Sequence, residues 1–182
     1  AIGLNIGRNF KSEGTALDIE TLMAGVRDGL EGAEPKFDDQ TCAQALHQLQ
    51  RLQADAHITK NKEYLAKNAK LEGVKTLPSG LQYKVLKQGD GPVPTLQDTV
   101  RAHYTGRFID GSVFDSSVES GKPFVTPVTQ VIRGWTEALT NMKVGTKWLI
   151  VVPSELGYGE SGMGPIPPHS TLVFEMELLG IE

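Results

Sequence analysis

The sequence is short of several things, and each shortage excludes a class of chemistry. Its 182 residues include one cysteine, Cys42. No internal disulfide can form, and a cysteine-based zinc site would lack thiols. Cys42 reads as a small apolar residue on a helix face. The four histidines, His47, His57, His103 and His169, are scattered and form no pair at metal-ligand spacing, so no metal site is expected. No apolar run approaches the ~18 residues of a membrane span. There are 18 basic residues against 22 acidic ones, a net charge of −4, with no basic stripe. Nucleic acid is therefore not an expected partner. No Ser-His-Asp or Cys-His arrangement stands out. The Gly-rich "GYGESGMGPIPP" lacks the Lys-Ser/Thr ending of a phosphate loop, and no βαβ unit surrounds it.

Aromatic residues are also few, and their distribution divides the chain. Residues 1–72 hold only Phe10, Phe37 and Tyr64, and no tryptophan. Such a segment cannot build a thick core of its own. Its period is helical. Ile19, Leu22, Met23, Val26 and Leu30 form one apolar stripe behind Asp18, an N-cap residue, and "EGAEP" closes the segment. A second helical pattern runs from about Asp38 to Glu72 without Gly or Pro, with Cys42, Ala45, Leu46, Leu49, Leu52 and Ala56 on one stripe. A helix of that length would outrun a small domain, and "HITKN", His57 to Asn61, is where a break is expected. The stripes need a partner. Either they fold onto the second half, or they pack against a second copy of the chain, which is the favoured reading.

From residue 73 the period is two. "LQYKVL", "TVRAHYTGRF", "TKWLIVVP" and "TLVFEMELLGIE" read as strands, the last with Glu175 and Glu177 outward. One short helical segment, Trp135 to Met142, lies among them. The expected class is α+β: an antiparallel sheet wrapped around a short helix, preceded by an all-α domain with a long connecting helix. By pattern alone Trp135, Tyr104 and Phe174 read first as core. Asp115 in "VFDSS" reads as a turn or cap residue, and Tyr158 as a loop aromatic.

Four separated motifs in order, "VRAHYTGRFIDGSVFDSS", "QVIRGWTEAL", "ELGYGESG" and "PIPPHSTLVFEMELLGIE", closely resemble the FKBP-type peptidyl-prolyl isomerase domain. "GLNIGRNFKSEG" and "LMAGVRDGLEG" resemble the dimerisation domain of the macrophage infectivity potentiator (Mip) group of that family. The resemblance implies an FKBP-like fold over residues 73–182 and a dimerisation domain over 1–72. It implies cis-trans isomerisation of X–Pro bonds in folding polypeptides, without a cofactor. It places Trp135 on the floor of the substrate pocket. Phe114, Phe124, Val131, Ile132, Ile166 and Phe174 would form the walls, and Tyr104, Asp115 and Tyr158 the catalytic set. Expected partners are proline-containing polypeptides, rapamycin-type macrolides and a second copy of the chain. Two departures are visible. "GKPFVTPVTQVI" is shorter than in single-domain members, so that Thr126 falls where they carry a second pocket aromatic. Met163 occupies the tip of "SGMGPIPPH".

The resemblance leaves one reading of another class open: a dimeric chaperone or client-binding module with incidental isomerase activity. The chain starts at Ala1 rather than Met, so residues upstream are expected. Periplasm or cell envelope is the expected location, with the cytoplasm as the alternative.

Overall fold

The computed structural model describes residues 3–5, 7–8, 18–34 and 36–182. Phe10 and Pro35 lie outside these. The chain divides into two compact units, Ala1–Ala56 and His57–Glu182.

In the first unit, helix α1 spans Ile19–Glu31. Asp18 caps it as its residue type predicts, with its carboxylate accepting from the Thr21 N–H at 2.7 Å. Gly32 ends it in the left-handed conformation, φ 67°, which a side chain would resist. The apolar stripe stays uncovered within the unit: Ile19, Met23 and Leu30 are 61%, 51% and 85% exposed.

Helix α2, Asp39–Asn68, opens on a second Asp cap, Asp38 to the Thr41 N–H at 2.6 Å. It runs unbroken for 30 residues. The break expected at His57–Asn61 does not occur, because nothing there prevents helical backbone. Those residues mark instead the point where α2 passes from the first unit into the second. Downstream of it the helix is fastened by polar groups. Its only buried residues are Asn61 and Asn68. The Asn61 side chain accepts from the Thr171 N–H at 2.7 Å and donates to the His57 carbonyl at 2.8 Å. Asn68 donates to Gln82 at 2.8 Å, and Gln82 donates to the Leu65 carbonyl at 3.0 Å. Gln82 had the parity of an outward strand residue. It is buried because α2 covers that side of the sheet.

The second unit is a seven-stranded antiparallel sheet in the order β1-β2-β6-β7-β3-β4. The strands are β1 Val74–Thr76, β2 Gln82–Lys87, β3 Thr99–Phe108, β4 Val113–Ser116, β5 Phe124–Pro127, β6 Lys147–Val152 and β7 Leu172–Ile181. The short β4 and β5 carried no readable alternation. They share one edge of β3, β5 along Thr99–Ala102 and β4 along Thr105–Arg107. Helix α3, Arg133–Leu139, supplies Trp135, Ala138 and Leu139 to a core that also holds Ile150, Val152, Leu172, Phe174, Met176 and Leu178. Burying a side chain of this size is worth roughly 1.5–3 kcal/mol. Outside, Lys147 and Lys87 reach Glu175 and Glu177 at 2.5 and 3.3 Å. Among the described residues, no helix is long and apolar enough to cross a membrane.

His57, near Ser170 Oγ at 3.3 Å, is held below its ordinary pKa of 6.5 first by burial and then by the positive charge of Lys60 and by His169. Its folded form therefore prefers to be neutral. The unfolded chain takes up the proton first on acidification. The stability contributed is complete above about pH 6.5 and is lost as pH falls through the lower folded value. Thermal melts at pH 8 and pH 5 should show a fall that is smaller in His57→Gln. An equal fall in both proteins would exclude His57 as a source.

Candidate active site

Trp135 follows Gly134 because the helix must press its backbone against the sheet. A Cβ at Gly134 would stand 2.6 Å from Val152 Cγ1 on β6. The Ile132 carbonyl accepts from the Trp135 and Thr136 N–H groups at 2.9 and 3.1 Å. The Thr136 hydroxyl donates to the Val128 carbonyl at 2.8 Å. Helix α3 is thus set in height and rotation, and the indole of Trp135, 5% exposed, lies at the base of a cavity.

Three aromatic rings meet that indole at steep angles. The Tyr104, Phe174 and Phe124 centroids lie 4.9, 5.2 and 6.2 Å away, with interplanar angles of 81°, 86° and 82°. Phe114 stands edge-on to Phe174 at 5.7 Å. Such pairs add ~0.5–1.5 kcal/mol each beyond their burial and fix ring orientation. Gly106 makes room for them. A Cβ there would come within 2.6 Å of the Phe114 ring and 2.9 Å of the Phe174 ring.

Tyr104 sits in β3 between the segments paired with β5 and β4. Ser117, just past β4, closes this gap: its hydroxyl accepts from the Tyr104 N–H at 2.8 Å, and its own N–H donates to the Tyr104 carbonyl at 3.0 Å. The phenol of Tyr104 donates a short hydrogen bond to the Asp115 carboxylate. Asp115 lies in β4, opposite Gly106, rather than in a turn. Burial pushes the Tyr104 phenol well up, helped by its bond to Asp115 and by the negative charge there. Tyr158 is raised by burial first and then by Asp115. Both phenols therefore stay protonated, as donors, across the physiological range.

The cavity is about 510 Å³ and is lined by nine of the ten residues expected from the sequence: Tyr104, Phe114, Asp115, Phe124, Val131, Ile132, Trp135, Tyr158 and Phe174. The tenth, Ile166, is not among the lining residues. It is buried in the core, 6% exposed, and its backbone bridges Met163. Two other residues line the cavity, Gln130 and Met163. Gln130 carried no signal in the sequence beyond its place before Val131. Thr126 neither lines the cavity nor reaches solvent. It is buried at 6% on β5 opposite Val100, with its hydroxyl near the Pro127 carbonyl. Among the described residues, no group of three His, Cys, Asp or Glu side chains could hold a metal ion.

A seven-stranded antiparallel sheet with one short helix packed into its core is the FKBP-like fold, the class of the prolyl isomerases of that name. Comparison with known proteins agrees along the whole chain. Residues 91–179 match the family "FKBP-type peptidyl-prolyl cis-trans isomerase", and residues 1–85 match "Domain amino terminal to FKBP-type peptidyl-prolyl isomerase". The chain is 49% identical to the "FKBP-type 22 kDa peptidyl-prolyl cis-trans isomerase" of Escherichia coli, over 99% of this chain and 92% of that protein. It is 38% identical to the "Outer membrane protein MIP" of Legionella longbeachae, over 100% and 83%. The crystal structure of FkpA from Escherichia coli aligns with a TM-score of 0.69 at 39% identity, over 100% of this chain and 93% of that one. The chain belongs to the FKBP-type peptidyl-prolyl cis-trans isomerase family, and it is an isomerase of X–Pro bonds.

Gly134→Ala should show how closely the helix is set. Its methyl would have to displace Val152, at a cost of ~1–3 kcal/mol. The urea midpoint should fall and the tryptophan emission shift as Trp135 is lifted. An unchanged midpoint would mean that the helix is free to move.

Proposed function

We propose that the cavity over Trp135 is where the isomerisation occurs, and that it works by gripping the prolyl ring and favouring the twisted amide. The uncatalysed barrier is ~18–20 kcal/mol because the C–N bond has partial double-bond character. At the twisted state that resonance is lost, and the carbonyl becomes less polar. An apolar bed then suits the amide better than water does, which lowers the barrier by differential binding. The observation that carries this reading is the convergence of nine expected side chains on one aromatic cavity.

Within it, Trp135 is the floor, and Phe114, Phe124, Val131, Ile132 and Phe174 are the walls. The Ile132 N–H is the donor to a flanking substrate carbonyl. Asp115 fixes the Tyr104 phenol, and Tyr158 offers a second donor at the rim. Ile166 acts from the core, behind the loop that carries Met163. Clients are proline-containing segments of folding polypeptides. Rapamycin-type macrolides occupy the same cavity.

Asp115→Ala and Tyr158→Phe should each lower kcat/KM on a short proline peptide by roughly one to two decades, since each removes a polar contact worth ~1–3 kcal/mol. The folded domain should survive both changes. Peptide exchange followed by NMR measures the rate, and values within about twofold of wild type in both variants would remove these residues from the mechanism.

Residues 1–72 are proposed to form a homodimer. Exposed stripes on two helices support this, with Ile19, Met23, Leu30, Leu46 and Leu52 all more than half exposed. A match to the amino-terminal family over residues 1–85 supports it further. The full chain should sediment as a dimer at micromolar concentration, and Met23→Glu combined with Leu46→Glu should sediment as a monomer that keeps its peptide activity. A monomeric wild type would refute the dimer. The envelope is the proposed location, supported by the name of the Legionella longbeachae relative.

A further inference from the structure

The loop that brings Tyr158 to the pocket is tied at its far end to helix α2 by two side chains, His57 at 3.3 Å from Ser170 Oγ and Asn61, which accepts the shorter bond, from the buried Thr171 N–H. The loop leaves the sheet after β6 through the turn Ser154–Leu156 and returns at Ser170 and Thr171, just before β7. Its near end is closed by the Gly159 N–H on the Ser154 carbonyl at 2.8 Å, around Tyr158 itself. Its far end is closed onto the near one by the His169 N–H on the Gly159 carbonyl at 2.8 Å. Two residues on, the Thr171 N–H, on a residue 2% exposed, donates to Asn61 Oδ1 of α2 at 2.7 Å. Asn61 is itself 4% exposed, and its Nδ2 donates to the His57 carbonyl, which holds the side-chain amide in one orientation. Tyr158 and α2 are thereby joined through the Gly159–His169 backbone bond and the Asn61 side chain, with the His57–Ser170 contact beside it.

Two further features indicate that this tie carries constraint. His169 has φ 58°, the only left-handed non-glycine residue among those described. Such a conformation is costly for a residue with a side chain and persists only where the surroundings over-determine it. The surroundings here are the bond to Gly159 on one side and the anchored Thr171 on the other. Packing around the tie is incomplete, with Ile58 and Leu65 of α2 only half-buried. Beside Asn61, a cleft of about 250 Å³ separates α2 from the loop, lined by Lys62, Glu155, Glu160 and His169 among others.

We propose that Asn61 is a positioning residue for isomerisation: it holds the Thr171 end of the loop, and through Gly159 it sets where Tyr158 stands over the pocket. The proposal rests on the reading of the Trp135 cavity as the site of reaction. It also gives the turn of α2 around Asn61, which does not line the cavity, a part in positioning the site.

The test uses the full chain, with kcat/KM on a short proline peptide and hydrogen exchange of residues 157–171 as separate readouts. Asn61→Leu, which keeps the volume and loses both bonds, should speed exchange across the loop and lower kcat/KM by about fivefold, since small misplacements at a site are costly. Asn61→Asp keeps the acceptor for the Thr171 N–H and should stay within about twofold of wild type. Asn68→Leu removes a polar tie of α2 that does not reach the loop, to Gln82, and should leave both readouts unchanged. Should Asn61→Leu not fold, Asn61→Ser, too short to reach Thr171, carries the same expectation.

The proposal is overturned if the Asn61 variant lacking the acceptor leaves loop exchange unchanged or kcat/KM within about twofold. It is also overturned if Asn68→Leu lowers kcat/KM as far, which would make the role general docking. Loss of rate in Asn61→Leu beside full activity in Tyr158→Phe would overturn the route through the Tyr158 hydroxyl. If mutating the cavity itself left the rate intact, the cavity reading would fail, and the proposal with it.

Discussion

The second unit depends on the edge-on contact of three aromatic rings with the indole of Trp135. An edge-to-face pair has a preferred angle as well as a preferred distance, so rings packed this way hold one another open rather than stacking flat. Tyr104 comes from the middle of β3, Phe174 from β7 and Phe124 from β5. The register of β3 against β7, with Gly106 opposite Phe174, puts the residue without a side chain where two rings need the space. The cavity is what remains when these rings are fixed and the helix backbone is pressed onto Val152. A looser core would fill it.

The polar groups are subordinate to that arrangement. Tyr104 is both a wall, through its ring, and a donor, through its hydroxyl. Asp115 takes the hydroxyl from the neighbouring strand, and Ser117 satisfies the backbone of Tyr104 where the sheet edge changes partner. Burial first, and then the Asp115 carboxylate, keeps both phenols protonated, because ionising either would place a second negative charge in a half-buried site. The rim thus offers hydrogen-bond donors at the pH where proteins fold, above a floor made by the indole of Trp135.

How much of this was legible in the sequence follows from the range of each interaction. The cap at Asp18, the start of the second helix near Asp38 and the strands β3, β6 and β7 are local, and the pattern shows them directly. The aromatic set was legible only through motif resemblance, because parity cannot tell an inward ring that lines a cavity from one that fills a core. Strands β4 and β5 were illegible: four residues each, they exist because β3 offers them an edge. The break expected at His57–Asn61 misled for the same reason: Asn61 is buried in an unbroken helix against Thr171, far away in sequence. Ile166 shows the converse limit, since loop closure turned a residue assigned to the wall into the core behind it.

The way α2 is fastened accounts for its composition. A helix docked by apolar packing can slide or rotate by small amounts at little cost, because dispersion is not directional. A helix docked by buried amides cannot, since each displaced hydrogen bond leaves a polar group unsatisfied at ~1–3 kcal/mol. Asn61, Asn68 and Gln82 therefore fix the register of α2 against the sheet, while Ile58, Tyr64 and Leu65 beside them are half-buried. Leucines further up the helix, Leu46 and Leu52 among them, stay exposed. One continuous helix thus combines directional bonds at one end with uncovered apolar area at the other.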